Sequence, residues 1–143
     1  MSFQLSDLGA MLRSLGTFGE RTVQRAQQAK RASAEVLLEE TKAWLDRPGG
    51  GRVYRRGRLG SRLHTASAPG EPPAPDSGAL RDSARIEQGD GEALRVIVSG
   101  PGASRLEFGA RDLAPRPYLR PALASARNRM GTAFAARLRT GRK

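Results

Sequence analysis

The side chains able to do acid–base or covalent chemistry are few: one histidine, His64, the serines Ser61 and Ser67 beside it, and no cysteine. Without cysteine there is no thiol nucleophile, no thiolate metal site and no disulfide framework. A single imidazole excludes any site that needs two, and one histidine among scattered acids lacks the ligand spacing of a metal centre. Nucleophilic catalysis requires a nucleophile, a base and an orienting group brought together, and no spacing around His64 sets these up. The histidine reads as a loop side chain held by hydrogen bonds. The glycines at 57–60 and 100–102 lack the glycine-rich spacing followed by Lys and Ser or Thr that cradles a phosphate, so they read as turns. The expectation is a protein that is no enzyme and holds no cofactor or metal.

Charge is the larger chemical resource. The 143 residues carry 25 Lys and Arg against 14 Asp and Glu, a net +11. The excess falls in two blocks: residues 49–70 hold five basic and no acidic side chains, and 111–143 hold nine and one. Only Lys30, Lys42 and Lys143 are lysines. Arginine's planar fork suits phosphate and carboxylate, although a bias this broad beside so many Ala and Gly also follows from genomic base composition. Arg52, Arg55, Arg56, Arg58 and Arg62 form a basic arm around Tyr54, and Arg127, Arg129, Arg137, Arg139, Arg142 and Lys143 make the C-terminal region basic. Such clusters attract a polyanion without reading its sequence. No recognition helix, zinc finger or series of stacking aromatics accompanies them, and the same arginines suit acidic surfaces of partner proteins.

The elements that position these residues are legible in outline. Hydrophobic residues are 38% of the chain and aromatics 5%, so the core must be thin and a partner or further copies are expected to add stability. Leu5, Leu8, Leu12 and Leu15, continued by Ala26, Ala29, Ser33, Leu37 and Trp44, predict a long helix within 1–48, capped at Ser2 or Ser6, with breaks at Gly16 and Gly19, and ended by Pro48 and the glycines after it. Part of that stripe is free for neighbours. Residues 49–75 show almost no regular pattern and read as an extended basic and Pro-rich arm. Beyond it, 76–143 predicts a short helix at 79–83 capped by Asp76 or Ser77, a hairpin of 84–87 with 93–99, a third short strand at 105–108, and a helix over 118–138. The fold class is therefore α+β: a long N-terminal helix, an extended Pro/Gly-rich arm, a small antiparallel sheet and a C-terminal helix, with 1–48 and 76–143 forming one domain. The start of the chain lacks the basic lead and small-residue cleavage site of an export signal, and no apolar run approaches a membrane span.

The arm carries the most specific pattern. Gly51-Arg52-Val53-Tyr54-Arg55-Arg56-Gly57 is followed by His64-Thr65-Ala66-Ser67-Ala68-Pro69-Gly70-Glu71-Pro72-Pro73-Ala74-Pro75-Asp76-Ser77-Gly78-Ala79-Leu80-Arg81-Asp82-Ser83. Further on come Leu106-Glu107-Phe108-Gly109 and Ala114-Pro115-Arg116-Pro117-Tyr118-Leu119-Arg120-Pro121-Ala122-Leu123. In this order, over 51–123, these motifs resemble a neck and tail-component family of long-tailed bacteriophages, found also in prophages and gene transfer particles. The sequence departs from that pattern at Ala103-Ser104-Arg105, where Tyr-Ala commonly leads into Leu-Glu-Phe-Gly, at Ala110, where Thr is common, and in a short loop between Phe108 and Arg116.

The resemblance implies a non-enzymatic virion protein of the neck or tail-completion layer, made in the host bacterial cytoplasm. It implies a homo-oligomeric ring, with the six-fold symmetry of the tail, between a head connector or stopper and a tail terminator or tail tube. On this expectation Tyr54, His64, Pro69, Glu71, Pro72, Pro73, Glu107, Phe108, Arg116 and Tyr118 form the assembly interface, with residues 68–75 lying across a neighbour and Glu71 pairing with an arginine such as Arg116. Arg52, Arg55, Arg56 and Arg58 are the arginines expected to face DNA in the lumen, with no contact to a membrane. The alternative expectation is a DNA-binding accessory protein without sequence specificity.

Overall fold

The computed structural model describes residues 5–139, with side chains from residue 8 onward. In chain order the elements are α1 (Leu5–Leu45), β1 (Val53–Arg56), a 3-10 turn (Arg58–Gly60), β2 (Arg62–Thr65), α2 (Ala79–Asp82), β3 (Ala84–Gln88), β4 (Leu94–Val98), α3 (Ala103–Phe108) and α4 (Leu119–Arg139). The architecture is α+β, with two separate two-stranded antiparallel sheets, β1 with β2 and β3 with β4.

Helix α1 runs unbroken for 41 residues, a rod about 60 Å long. The breaks expected at Gly16 and Gly19 do not occur. Each glycine costs about 1 kcal/mol relative to alanine in a helix, a local penalty that the helical residues on both sides absorb. Of the expected caps, Ser2 lies outside the described residues and Ser6 is inside the helix. The helix ends at Leu45 because Pro48 disfavours helical backbone at Arg47 before it.

Helix α4 lies antiparallel along the C-terminal half of α1. The Ser33 hydroxyl donates to the Met130 carbonyl at 2.8 Å. Glu40 accepts from the Ser125 hydroxyl at 2.7 Å and the Trp44 indole at 3.1 Å, and pairs with Arg129. These contacts together hold the Glu40 carboxyl below its ordinary value, the Ser125 bond contributing most. Ala29, Ala122 and Ala126 are fully buried, so small side chains let the two helices approach closely. The β3–β4 hairpin and α2 also pack on α1, tied by Lys30 to Glu92 at 2.9 Å and Arg81 to Asp46 at 2.8 Å. That hairpin, with Ile86 opposite Val96, is the one the sequence pattern predicts.

Two expectations are corrected. Residues 105–108 belong to α3 rather than to a third strand. Gly102 and Gly109 stand at φ 75 and φ 80, and the turn they bracket closes when the Leu106 amide donates to the Gly102 carbonyl at 2.9 Å. Neither Asp76 nor Ser77 occupies the cap position of α2; Gly78 does, in the left-handed region. Ser77 accepts from the Ala79 amide at 3.4 Å, while Asp76 is engaged by arginines.

The turn α3 carries Glu107 into the interior, where it is 2% exposed. Its carboxylate accepts the amides of Tyr118 at 2.8 Å, Leu119 at 2.9 Å and Arg120 at 3.1 Å. These are the unpaired donors at the start of α4, where a negative charge is also favoured by the helix dipole. Burial pushes the Glu107 carboxyl up, but the three amides and the Arg120 guanidinium outweigh it and hold it below its ordinary value. Tyr118, 1% exposed, donates its hydroxyl to the Ala103 carbonyl at 3.3 Å. Burial and then the Glu107 charge push its phenol up to about 12.

Glu107→Ala leaves one buried and two part-buried amides without their acceptor and is expected to cost about 3 kcal/mol, read from the urea midpoint at constant slope. Because the carboxyl is depressed in the folded state, its stabilisation is present above its unfolded value of about 4.5 and is lost as pH falls through the lower folded value. Glu107→Gln should flatten the acid limb of stability against pH.

Candidate functional site

Residues 49–75 are not an irregular arm. They form a hairpin that folds back on the body and then a loop that is pinned down. Val53 lies opposite Thr65, Tyr54 opposite His64 and Arg56 opposite Arg62. Beyond the strands the pairing continues, with the Ala66 amide donating to the Arg52 carbonyl at 3.0 Å and the Gly51 amide to the Ala66 carbonyl at 2.9 Å. Gly49 and Gly51 permit this approach: a Cβ at Gly49 would stand 2.5 Å from the Ala66 carbonyl oxygen. The hairpin tip turns through positive φ at Gly57, Leu59 and Gly60, and Leu59 is completely exposed.

Two carboxylates fasten this unit. Glu71 accepts the Ala68 amide at 2.8 Å and the Gly50 amide at 2.9 Å, closing the loop onto the end of the hairpin. Those two amide bonds, the Ala68 bond first, and the nearby positive charge of Arg116 hold its carboxyl below the ordinary range. Asp76 pairs with Arg56 at 2.9 Å and Arg62 at 3.0 Å, and lies 3.9 Å from His64 Nδ1. The Gly70 amide donates to the Pro115 carbonyl at 3.1 Å, and the Arg116 amide to the Leu106 carbonyl at 2.7 Å, so the loop meets the approach to α4.

Between hairpin, loop and body lies a cleft of about 360 Å³, lined by Leu45, His64, Ser67, Pro73, Leu80 and Arg116 among others. Ser67, His64 and Asp76 are the residue types of an acyl-transfer triad, but they are not arranged as one. The Ser67 hydroxyl is buried with no hydrogen-bond partner, the His64 to Asp76 separation exceeds hydrogen-bond length, and Asp76 already serves two arginines. The Arg116 Nε is likewise buried without a partner. Among the described residues no group of three or more His, Cys, Asp or Glu is placed to hold a metal.

The residues expected at an assembly interface are thus distributed across three environments. Pro73, Glu107 and Tyr118 are buried within their own chain, and His64, Glu71, Pro72 and Arg116 are half-buried around the cleft. Tyr54, Pro69 and Phe108 are exposed; Phe108 is 69% exposed beneath the Arg120 guanidinium, 5.2 Å from the ring centre. Within the segment 68–75, expected to lie across a neighbour, Glu71 accepts the Ala68 and Gly50 amides and Pro73 is buried. Of the arm arginines, Arg56 is paired with Asp76 and Arg52 sits 5.5 Å from the Tyr54 ring centre. Arg55 and Arg58 are exposed and carry no ion pair among the described residues. Arg142 and Lys143 lie outside the described residues.

Asp76, Arg62 and Glu40 matter structurally although the sequence does not single them out as site residues. A signal existed for Asp76: five arginines in 49–70 with no acid among them require the nearest following carboxylates, Glu71 and Asp76. Glu40 had none, because its partners on α4 are 85 and 89 residues away.

Large apolar side chains stand outside instead of inside. Leu8, Met11, Leu12, Leu15, Phe18 and Val23 on α1 are 44–65% exposed, as are Val53, Tyr54 and, more so, Leu59 and Leu63 on the hairpin. No protein-family model, curated protein or solved structure matches the chain. No helix among the described residues is long and apolar enough to cross a membrane.

Glu71→Gln is expected to weaken both amide contacts. Hydrogen exchange at Gly50 and Ala68 should accelerate at least about tenfold, corresponding to roughly 1.4 kcal/mol, while α4 amides keep their protection. Asp76→Ala should raise exchange in β1 and β2 in the same selective way.

Proposed function

We propose that the chain is a structural component of the head-to-tail interface of a phage or phage-like particle, one copy in a ring that joins the head to the tail. The observation that carries the reading is the ordered set of motifs over 51–123 resembling the neck family. The surface supports an assembly role in physical terms. The interior holds mainly alanines, and the large apolar residues are displayed on α1 and on the hairpin, where contact with other subunits would remove them from water. The well-fastened hairpin offers Tyr54, Leu59 and Leu63 on a defined scaffold, which limits the ordering cost of docking.

Deletion of the gene from its particle-producing host, followed by electron microscopy, tests this. Filled heads without tails are expected, with tails restored by the gene in trans; intact tailed particles in the deletion would sink the reading. A second reading, DNA binding without sequence specificity, is favoured by one observation: Arg55 and Arg58 are exposed without ion pairs while the chain carries +11. It predicts that purified protein binds duplex DNA with an affinity that falls steeply with salt, and that Arg55→Gln with Arg58→Gln reduces the slope of log affinity against log salt by about 2.

A further inference from the structure

Helix α1 is longer than the body it belongs to. Near its described end α4 borders α1 at Gln28, Arg31 and Glu35, through Arg137. Residues 8–23 therefore extend past the helix pair by about 24 Å. Along this extension Leu8, Met11, Leu12, Leu15, Phe18 and Val23 are 44–65% exposed. At 3.6 residues per turn they fall within an arc of about 140° on one side of the helix.

That face continues an interface already present. Leu12, Gly19, Ala26, Ser33 and Glu40 stand seven residues apart, and the last two of these contact α4. Leu8, Leu15, Thr22, Ala29 and Val36 form the companion row, in which Ala29 is fully buried. The seam used by α4 at one end is thus uncovered at the other. The charges of 8–23, Arg13, Glu20 and Arg21, lie off both rows and nearly cancel. A helix that lies on a membrane surface has instead a strongly basic polar face, so the composition favours protein.

We infer that residues 8–19 of α1 pair antiparallel with the same segment of a second copy of this chain. The contact is two-fold and therefore distinct from the head-to-tail contacts that close the proposed ring; a second copy is the occupant because the face matches itself. The face is self-complementary in size: with the helices opposed, Leu12 meets Leu15, Leu8 meets the gap over Gly19, and Met11 lies beside Phe18. A two-fold contact demands this kind of self-matching. A parallel pairing would set Gly19 against Gly19, bring Arg25 beside Lys30, and crowd both α4 helices at one end; the antiparallel pairing places the two bodies at opposite ends. The five half-exposed side chains within 8–19, Leu8, Met11, Leu12, Leu15 and Phe18, present on the order of 500 Å² of apolar surface, within the range of the largest patch of a monomer. Two such faces supply roughly 1,000 Å² of buried area, about the threshold of a specific contact.

The mass of the purified full chain in solution, measured at about 100 μM, and the mass of a Leu12→Glu, Leu15→Glu double variant provide the test. The variant is expected to have half the mass of the wild type while its α4 amides keep their hydrogen-exchange protection, since both residues lie outside the body. Because the chain has no cysteine, single cysteines report the orientation. Oxidation of mixed Leu8→Cys and Gly19→Cys proteins should give a cross-linked dimer, and Leu8→Cys alone should not. A monomeric wild type, a variant of unchanged mass, or efficient cross-linking of Leu8→Cys to itself would overturn the inference. So would wild-type protein that stays monomeric but floats with phosphatidylcholine vesicles. A monomeric wild type whose deletion still yields tailless particles leaves the neck reading standing, whereas paired helices with intact tails in the deletion remove only that reading.

Discussion

Everything in this fold depends on the close contact between α1 and α4. Its centre is alanine: Ala29, Ala122 and Ala126 are fully buried, and among the described residues Tyr118 and Leu45 are the large apolar side chains buried nearly as deeply. Small side chains bring helix axes together and gain dispersion contacts, but each removes little apolar area from water. A body built this way cannot rely on large hydrophobic burial. Direct polar contacts must then hold the peripheral elements in place.

Carboxylates supply those contacts. In a chain with 25 basic and 14 acidic residues, four acids each gather several donors. Glu40 joins the two helices, Glu107 closes the first turn of α4, Glu71 fastens the Pro-rich loop, and Asp76 anchors the hairpin through Arg56 and Arg62. Bonds to ionised groups are the stronger class of hydrogen bond, and several of these span long sequence separations. The hairpin and loop are consequently part of the body, and the exposed apolar side chains are left on its projections.

Much of the local structure was legible. The apolar spacing marked α1 and α4, and the alternation from Leu94 to Val98 marked the second hairpin, because periodicity of about 3.6 or 2 residues is a direct consequence of backbone geometry. Residues 105–108 misled because a short run of mixed apolar and charged residues fits either a strand or one helical turn; the bracketing glycines, Gly102 and Gly109, decided for the turn. The hairpin at 53–65 was hidden because its residues are exposed on both faces apart from His64, so no alternation of polar and apolar residues betrays it. Among the site residues, the sequence marked Glu71, Glu107 and Tyr118 through their motifs and assigned them to an interface with a neighbour; within the chain they bond to the Gly50 and Ala68 amides, the start of α4 and the Ala103 carbonyl.

By itself the sequence determined the fold class, the two principal helices, the absence of thiol chemistry and the uneven charge, since each follows from composition or local spacing. Only the tertiary structure decided that the arm folds back, that Glu107 and Tyr118 serve α4, and that the stripe of α1 is covered at one end and bare at the other. These depend on groups far apart in the chain meeting at hydrogen-bond distance, and on which stretch of α1 the described part of α4 covers. Neither is encoded in any single segment, because each is set by how the segments pack.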